Sequence, residues 1–259
     1  MNAVWAEEAG SADHPLVVVI HGSMDRSAGM LKLSRRLDMD HRVLRYDRRG
    51  YGRSFPHDGP FTMDAQVGDL VGLLAGRRAV LVGHSYGGDI ALATADRHPD
   101  LIAGVAVYET PLSWEPWWPG KTAGSVAVAA SGKPQEAAEL FMRRLIGDRR
   151  WDELPESTRE TRRAEGVAMV EELADLRRHQ PWFAERITMP VVTSYGSRGA
   201  PHHQDGMRYA ASLLGCPFVE LPDCRHDAPL SHPDLFRTRV IDPLLRRVGS
   251  PWGSEISAD

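Results

Sequence analysis

The sequence predicts an α/β fold built on a mostly parallel sheet, and three observations support this prediction. Short apolar runs rich in β-branched residues recur along the chain, each bounded by Gly, Pro, Asp or His. Segments with helical spacing lie between these runs, and such alternation of strand and helix is typical of parallel sheets. At 259 residues the chain is long enough for one large domain that carries an insertion.

The apolar runs have the length and composition of strands that are buried on both faces of a sheet. They predict strands over residues 16–20, 42–46, 79–83, 104–108, 191–195 and 218–221. Apolar residues with a helical period predict core helices over residues 28–37, 63–74, 87–97, 204–214 and 233–248. The small, polar tail from residue 249 onward is expected to be frayed.

The alternation of strand and helix is interrupted once, between residues 111 and 187, where no strand run occurs. Helical spacing over 135–145 and 157–178 indicates that helices follow one another in this stretch. We therefore predict a core domain formed by residues 1–110 and 188–259 and a helical cap formed by residues 111–187.

Three tryptophans near the start of the cap stand out: Trp114, Trp117 and Trp118. Aromatic residues in a helical region most often belong to its core. Here Pro116 and Pro119 disfavour a regular helix with a buried stripe. We therefore expect these three indole rings to line the mouth of a substrate pocket.

The strand at 79–83 leads into Gly83-His84-Ser85-Tyr86-Gly87, and a predicted helix follows. A Gly-x-Ser-x-Gly motif between a buried strand and a helix is a nucleophile elbow, a strained turn that exposes the serine hydroxyl above the sheet. The two glycines leave room for the turn and for close packing of the helix on the strand. The motif in this context predicts that Ser85 is a nucleophile.

A serine hydroxyl is an effective nucleophile near neutral pH only when a base takes its proton. Among the 11 histidines, His226 is the best placed, in the loop between the last predicted strand and the last predicted helix. His232 precedes a proline and is expected to begin the final helix. His202 and His203 form a pair, but no third residue has metal-ligand spacing, so we expect an exposed polar loop and no metal.

These motifs together resemble the α/β-hydrolase superfamily, over nearly the whole chain from Pro15 to Val248. The loop at residues 46–54, in which Asp47 and the arginines are expected to be structural, is similar to a loop of capped members. The resemblance implies an α/β-hydrolase fold, with a mostly parallel central sheet flanked by helices and a helical cap insertion. The family usually has further N-terminal strands, and in this sequence we expect residues 3–8 to supply what there is of them.

In this superfamily two backbone amides stabilise the negative charge that develops on the substrate carbonyl oxygen. One amide belongs to the residue after the nucleophile, here Tyr86. The other belongs to the residue after a His-Gly turn that ends the first strong strand, here Ser23 after His21 and Gly22. We expect Met24 to project into the same pocket and the His21 side chain to be structural.

The carboxylate that orients the histidine is absent from the position most common in the family. The strand at 191–195 is followed by Gly196 and Ser197, where many members have an Asp, and the first carboxylate after it is Asp205. Glu109 stands instead at the end of the strand at 104–108. Zearalenone-type lactonases and some haloalkane dehalogenases are similar in this respect, although those dehalogenases use an Asp nucleophile.

The chemistry requires only that a carboxylate accept the Nδ1 hydrogen of His226, and two neighbouring strand ends can supply one. We predict that Glu109 is this acid and keep Asp205 as the alternative. Asp227 is a third alternative, but it is adjacent to the histidine and directed away from it in an extended loop.

These residues predict a serine hydrolase that cleaves a carboxylic ester or lactone of a small, largely apolar molecule through an acyl-enzyme on Ser85. No metal or organic cofactor is expected. Alternatives with the same residues are a thioesterase, a cofactor-free perhydrolase or haloperoxidase, and a ligand-binding homologue with weak catalysis. Tests with ester panels and an active-site probe distinguish among these functions.

Composition limits the partners. The net charge is −4 without a long block of either sign, so nucleic acid is not an expected partner. The first residues lack the apolar core of a secretory signal, and no apolar run approaches the ~20 residues of a membrane span. Cys216 and Cys224 form no disulfide framework. We expect a cytoplasmic protein without a membrane partner, and the sequence leaves homo-oligomerisation open.

Overall fold

The computed structural model describes residues 4–249 of the chain. At their centre lies a seven-stranded sheet in the order β1-β3-β2-β4-β5-β6-β7. The strands are β1 (Ala6–Ala9), β2 (Leu16–Ile20), β3 (Arg42–Tyr46), β4 (Ala79–His84), β5 (Ile102–Tyr108), β6 (Val191–Gly196) and β7 (Phe218–Leu221). Only β1, at the edge, runs antiparallel to its neighbour β3. The predicted mostly parallel sheet is confirmed.

Helices cover both faces of the sheet. They are α1 (Leu31–Leu37), α2 (Met63–Leu74), α3 (Tyr86–Arg97), α4 (Ala123–Ala129), α5 (Pro134–Ile146), α6 (Asp148–Asp152), α7 (Glu156–Ala164), α8 (Gly166–Arg178), α9 (Pro201–Leu214), α10 (Ala228–Ser231), α11 (Pro233–Phe236) and α12 (Asp242–Val248). Within residues 4–249, no helix is both long enough and apolar enough to cross a membrane. The tail predicted to be frayed lies, from residue 250 onward, outside the described residues.

Alternate residues of the strands pack into two apolar cores, one on each face of the sheet. In β2, Val18 and Ile20 belong to the core shared with α2, α3 and the cap, whereas Val17 and Val19 pack on the side of α1, α11 and α12. All residues of β2 are buried. Burial on both faces explains why the strands appear in the sequence as continuous apolar runs.

The helix predicted over 233–248 is interrupted. The structure divides it into α11, a π-helical segment Arg237–Ile241, and α12. Pro243 lies in the first turn of α12, where a missing N–H group costs no helical hydrogen bond. The wider turn before it accommodates the proline ring, which in a regular helix would collide with the carbonyl group four residues earlier.

The segment between β5 and β6 contains the five helices α4 to α8. It covers the stretch predicted to form a cap, and we call this helical segment the cap. The predicted helix at 135–145 corresponds to α5, but the one predicted at 157–178 is two helices, α7 and α8, which separate before Gly166. A Cβ atom at Gly166 would lie 2.2 Å from the carbonyl oxygen of Pro134. The start of α8 therefore packs directly on the start of α5, and only glycine allows this approach.

A buried ion pair joins this helical segment to the rest of the fold. Glu172 of α8 and Arg48, in the loop after β3, approach to 2.6 Å, and both side chains are fully buried. The same carboxylate accepts hydrogen bonds from Ser23, Tyr51 and Gln66 at 2.6, 2.7 and 3.3 Å. One cap carboxylate is thus the acceptor for groups from three separate parts of the core.

Glu165, one residue before α8, is a second buried carboxylate at the same junction. It pairs with Arg26 at 3.1 Å and accepts the backbone N–H of Gly52 at 3.0 Å. Hydrogen bonds to an ionised acceptor are stronger than neutral ones. The start of α8 is therefore fixed to the loops after β2 and β3 at two successive points.

The ion pair between Arg48 and Glu172 generates a prediction about stability. Glu172→Leu leaves a buried, unpaired guanidinium, so we expect a loss of about 3–5 kcal/mol in the free energy of unfolding. The double variant Arg48→Met with Glu172→Leu removes both charges and should recover much of that loss. Urea denaturation followed by circular dichroism measures both values.

The matched control is Glu171→Leu, which removes an exposed carboxylate from the adjacent position of the same helix. Its effect should stay within about 0.5 kcal/mol. A double variant less stable than Glu172→Leu would contradict the view that the unpaired charge causes the loss.

Candidate active site

Ser85 occupies a strained turn between β4 and α3. Its backbone has φ 53° and ψ −127°, a conformation that side chains rarely adopt. A Cβ atom at Gly83 would lie 2.5 Å from the carbonyl oxygen of Gly87, and one at Gly87 would lie 2.4 Å from that of Ile20. Both glycines are therefore required by the close approach of α3 to the strands. This is the geometry of a nucleophile elbow.

The peptide group between Gly22 and Ser23 has a fixed orientation. The Gly22 carbonyl accepts hydrogen bonds from His21 Nδ1 at 2.8 Å and from Arg48 Nη2 at 3.0 Å. In a trans peptide the N–H points opposite to the C=O, so the Ser23 amide is directed away from Arg48. Ser23 lines the same cavity as Ser85. The arrangement presents the Ser23 amide as one donor to an anion beside the nucleophile.

His21 has a structural role in this loop. Its Nε2 atom accepts the backbone N–H of Arg48 at 3.0 Å, while Nδ1 donates to Gly22. Burial, together with the adjacent Arg48 charge, holds the pKa of His21 well below its usual range. The imidazole is neutral and both nitrogens are occupied, as expected for a group that shapes the loop.

Tyr86 begins α3 directly after the nucleophile. Within residues 4–249, neither its backbone N–H nor that of Ser23 donates to a protein acceptor. A free N–H at the first turn of a helix is favourable for binding an anion. Ser23 and Tyr86 line the same cavity as Ser85, and their free amides are consistent with the predicted role as oxyanion donors.

Glu109 and His226 form a direct contact. Glu109 Oε2 lies 2.7 Å from His226 Nδ1, and the carboxylate is completely buried. Its other oxygen accepts the backbone N–H of Gly196, at the end of β6, at 3.0 Å. Glu109 has a positive φ of 45°, which turns its side chain at the end of β5. The carboxylate is therefore fixed at one oxygen and directs the imidazole with the other.

The loop that carries His226 is held by neighbouring strand ends. His84 Nε2 donates to the His226 carbonyl oxygen at 2.7 Å, and Tyr108 Oη donates to that of Arg225 at 2.7 Å. His84 is the residue directly before the nucleophile. The strands that carry Ser85 and Glu109 therefore also fix the backbone of the histidine loop. Ser85 and His226 line one cavity.

The two alternative acids lie elsewhere. Asp205 is within α9, exposed, and pairs with Arg208 at 3.0 Å. Asp227 is exposed and caps the short helix α10 with its backbone. Neither carboxylate contacts His226. Helix α9 begins at Pro201, three residues earlier than predicted, and this shift places Asp205 on an outer turn.

The histidine pair His202 and His203 is in the first turn of α9 and not in an exposed loop, which corrects the sequence-based expectation. The His203 ring stacks on His226 with centroids 4.7 Å apart, and its Nδ1 atom is buried without a hydrogen-bond partner among the described residues. Burial, with the nearby His226, lowers the pKa of His203 well below its usual range. His203 therefore presents a neutral ring to the base.

One group of side chains in the described residues has ligand atoms close enough for a metal ion. These are Glu109, His203 and His226, with their atoms within 4.8 Å of one another. The sequence showed no third possible ligand close to His203. In the structure, Glu109 and His226 come near it from distant parts of the chain. Glu109 and His226 are already hydrogen-bonded partners, so the geometry favours an acid–base pair at this position.

A cavity of about 410 Å³ opens above Ser85, between the core and the cap. Its apolar wall is formed by Trp118, Phe141, Leu145 and Leu173. Trp118 is the predicted pocket tryptophan that reaches this wall; it is 8% exposed and packs edge-on against His202 at 5.0 Å.

Three other residues predicted to bind substrate are not part of the cavity lining. Met24 is 2% exposed and belongs to the apolar core. Trp114 packs edge-on against Trp182, with centroids 5.7 Å apart, and Trp117 is turned outward at 42% exposure. Their placement does not support substrate contact. The Pro-rich segment directs consecutive indoles in different directions, which residue type alone did not reveal.

Sequence reasoning missed several residues of the site. His84 was assigned only as part of the elbow, although it holds the His226 loop. Arg48 was expected to be structural, but its link to Glu172 and to the oxyanion loop was not foreseen. The signal for Arg48 was its place in the motif after β3. Nothing in the sequence around Glu172 marks it as buried, since Glu171 precedes it on the exposed side.

Comparisons with known proteins agree with this geometry. A family model described as the alpha/beta hydrolase family matches residues 17–239. An esterase from Thermogutta terrifontis has the same fold, with a TM-score of 0.75 at 23% identity over 95% of this chain and 94% of that one. An enol-lactonase from Burkholderia xenovorans LB400 has a TM-score of 0.73 at 25% identity over 94% of this chain and 96% of that one.

A curated relative, epoxide hydrolase B of Mycobacterium tuberculosis, is 33% identical over 105 residues, which are 38% of this chain and 30% of that protein. The matches to the first curated relatives span about a third of the length of each.

The buried His84 generates a prediction about pH. Burial, and next the neighbouring His226, lowers the pKa of His84 to about 3. The unfolded chain protonates this imidazole below its usual value of about 6.5, whereas the folded chain does so only near 3. The unfolded state therefore binds more protons in this window, and stability falls as the pH falls from about 6.5 toward 3.

His84→Gln keeps a donor for the His226 carbonyl but cannot be protonated. We expect the plot of unfolding free energy against pH to be less steep by about 1.4 kcal/mol per pH unit between pH 6 and 4. Urea denaturation at several pH values measures the slope. The exposed His232→Gln variant serves as the comparison, and equal slopes for the wild type and His84→Gln would contradict the prediction.

Proposed function

The chain belongs to the alpha/beta hydrolase family, and we propose that it cleaves a carboxylic ester or lactone through an acyl-enzyme on Ser85. The observation that carries the proposal is the 2.7 Å contact between buried Glu109 and His226, a histidine that shares a cavity with the elbow serine. A nucleophile, a base and an orienting acid on separate strand ends are the arrangement required for acyl transfer.

In the proposed reaction, Ser85 Oγ attacks the substrate carbonyl carbon while His226 Nε2 takes the hydroxyl proton. The carbonyl oxygen becomes an oxyanion and accepts hydrogen bonds from the Ser23 and Tyr86 amides. Each such donor contributes about 10²- to 10³-fold to the rate in related chemistry. The imidazolium then gives its proton to the leaving alkoxide, and the acyl group remains on Ser85.

Water then hydrolyses the acyl-enzyme, with His226 acting again first as a base and then as an acid. His226 takes a proton from water as its oxygen attacks the acyl carbon, and the proton returns to Ser85 Oγ as the ester bond breaks. Glu109 accepts the Nδ1 hydrogen throughout, which keeps Nε2 available as a base and offsets the positive charge of the imidazolium. In a lactone the leaving alkoxide stays attached to the acyl group, so the product is one hydroxy acid.

The similarity to an enol-lactonase at 25% identity, over nearly the whole of both chains, supports the inclusion of lactones. The wall of Trp118, Phe141 and Leu173 supports an apolar moiety in the substrate. The cavity volume of about 410 Å³ is suited to a small molecule.

A fluorophosphonate probe tests the nucleophile. We expect the wild type to be labelled at Ser85 and Ser85→Ala to lose all labelling, because the probe needs a serine activated by a base. Ser113→Ala removes another hydroxyl that lines the cavity and should leave labelling intact. Absence of labelling in folded wild-type protein would overturn the proposed mechanism. Peptide mass spectrometry identifies the modified residue.

Exchange of each carboxylate for its amide distinguishes Glu109 from the alternative acid. Glu109→Gln keeps an oxygen for the Gly196 N–H but stabilises the wrong histidine tautomer, so kcat for a 4-nitrophenyl ester should fall by about 10³- to 10⁴-fold. Asp205→Asn should stay within about twofold of the wild type. Near-normal kcat in Glu109→Gln would show that another group orients His226.

A further inference from the structure

The cavity above Ser85 has a one-sided charge. Its lining includes five basic side chains, and no Asp or Glu is part of it: Lys121, Arg144, Arg177, Arg198 and Arg225. The chain as a whole has more acidic than basic residues, with a net charge of −4. A purely apolar ester offers nothing to such a set of cations.

Most of these basic side chains form no salt bridge within the described residues. Arg198 pairs with Asp223 at 2.8 Å. The other four have no carboxylate within 4.0 Å in residues 4–249, whereas several cap arginines outside the cavity are paired, such as Arg143 with Glu139 and Arg163 with Glu156. The cap has acidic residues available, yet none is placed against the cavity side of α8 or α5. Four basic side chains without a carboxylate partner therefore line one cavity that contains no acidic side chain among the described residues.

Arg177 is the most strongly positioned of these residues. It is half-buried on α8, and its guanidinium donates to Ser125 Oγ, which in turn donates to the Pro119 carbonyl at 3.0 Å. Arg144 donates to the Lys121 carbonyl at 3.3 Å. The Arg177 and Arg144 guanidinium groups are therefore held by the segment around the start of α4, which also carries Lys121.

The position of Arg177 relative to the reaction centre follows from helix geometry. Glu172, on the same helix, contacts Ser23 at 2.6 Å beside the oxyanion site. Arg177 is five residues further along α8, or roughly 7 to 8 Å along the helix axis. Leu173 lies one turn before Arg177 and also lines the cavity. The cationic end is therefore separated from the scissile carbonyl by an apolar stretch.

We propose that the substrate carries a carboxylate, which Arg177 binds together with Arg144 and Lys121 at the far end of the cavity. A guanidinium matches the planar, bidentate geometry of a carboxylate, and partial burial strengthens the contact. The substrate is then a monoester of a dicarboxylic acid, or a lactone with a carboxylate side chain, whose apolar chain lies against Trp118 and Leu173. This inference rests on the ester or lactone hydrolysis proposed above.

Two esters of matched length test the proposal. The mono-4-nitrophenyl ester of adipic acid and 4-nitrophenyl hexanoate have the same acyl chain length and differ in the terminal carboxylate. We expect kcat/KM for the adipate ester to exceed that for the hexanoate by about 10-fold or more, mainly through a lower KM. The ratio should decrease with increasing salt, because screening weakens the ionic contact. A ratio near one overturns the proposal.

Variants assign the preference to a residue. Arg177→Gln should reduce the ratio about 10-fold, toward one, because it removes a charge-assisted hydrogen bond, and Arg177→Lys should restore part of it. The control is Arg150→Gln, which deletes an exposed cap arginine outside the cavity lining and should leave the ratio unchanged. Equal losses in Arg177→Gln and Arg150→Gln would overturn the assignment, since only overall charge would then matter.

Binding to Ser85→Ala separates this proposal from the hydrolytic one. Calorimetry with monomethyl adipate and methyl hexanoate reports recognition of the carboxylate without turnover. If neither 4-nitrophenyl ester is hydrolysed, the proposed function is wrong. The carboxylate site is still supported if Ser85→Ala binds monomethyl adipate more tightly than methyl hexanoate and the double variant Ser85→Ala with Arg177→Gln loses this difference. Equal binding of the two methyl esters overturns it. Tighter binding of butyl phosphate than of monomethyl adipate would replace the carboxylate with a phosphate.

Discussion

The buried pair between Arg48 and Glu172 is the interaction that links cap, core and reaction centre. Arg48 donates to the carbonyl oxygens of His21 and Gly22 and to the Glu172 carboxylate. It therefore sets the orientation of the peptide that carries the Ser23 amide. Glu172 also accepts the Ser23 hydroxyl. The position of α8 and the orientation of the Ser23 amide, the proposed oxyanion donor, are thus fixed by one pair of opposite charges.

The parallel sheet imposes a second constraint. The carboxyl ends of β2, β4 and β5 meet at one edge, so Ser23, Ser85 and Glu109 are brought together although they are far apart in sequence. Glu109 is at the end of β5, and its carboxylate reaches across to the N–H of Gly196 at the end of β6. The ends of β5 and β6 are adjacent, so a carboxylate at either end could approach the same imidazole. In this chain the carboxylate is at the end of β5.

These constraints explain which features the sequence predicted. The strands were predictable because burial on both faces produces continuous apolar runs, and the elbow because Gly83 and Gly87 are required by contacts of 2.4 to 2.5 Å. The contact between Ser23 and Glu172 was not predictable, since the two residues are 149 positions apart and nothing local marks Glu172 as buried. The directions of the Trp114 and Trp117 side chains were not predictable for a related reason. Trp114 packs on Trp182 and Trp117 on Tyr209, and both partners are distant in sequence.

The positive charges around the cavity explain why the carboxylate of Glu109 matters for His226. In the proposed reaction, the basic side chains of the lining favour an oxyanion on the substrate, but they oppose the positive charge that His226 would acquire on taking the Ser85 proton. His84 and His203, which pack against His226, are neutral because burial lowers their pKa values, so they add no further repulsion. Glu109 is the carboxylate in direct contact with the ring. Under the proposed mechanism, a buried, hydrogen-bonded acid at this point allows a histidine to act as a base in a cavity lined by positive charges.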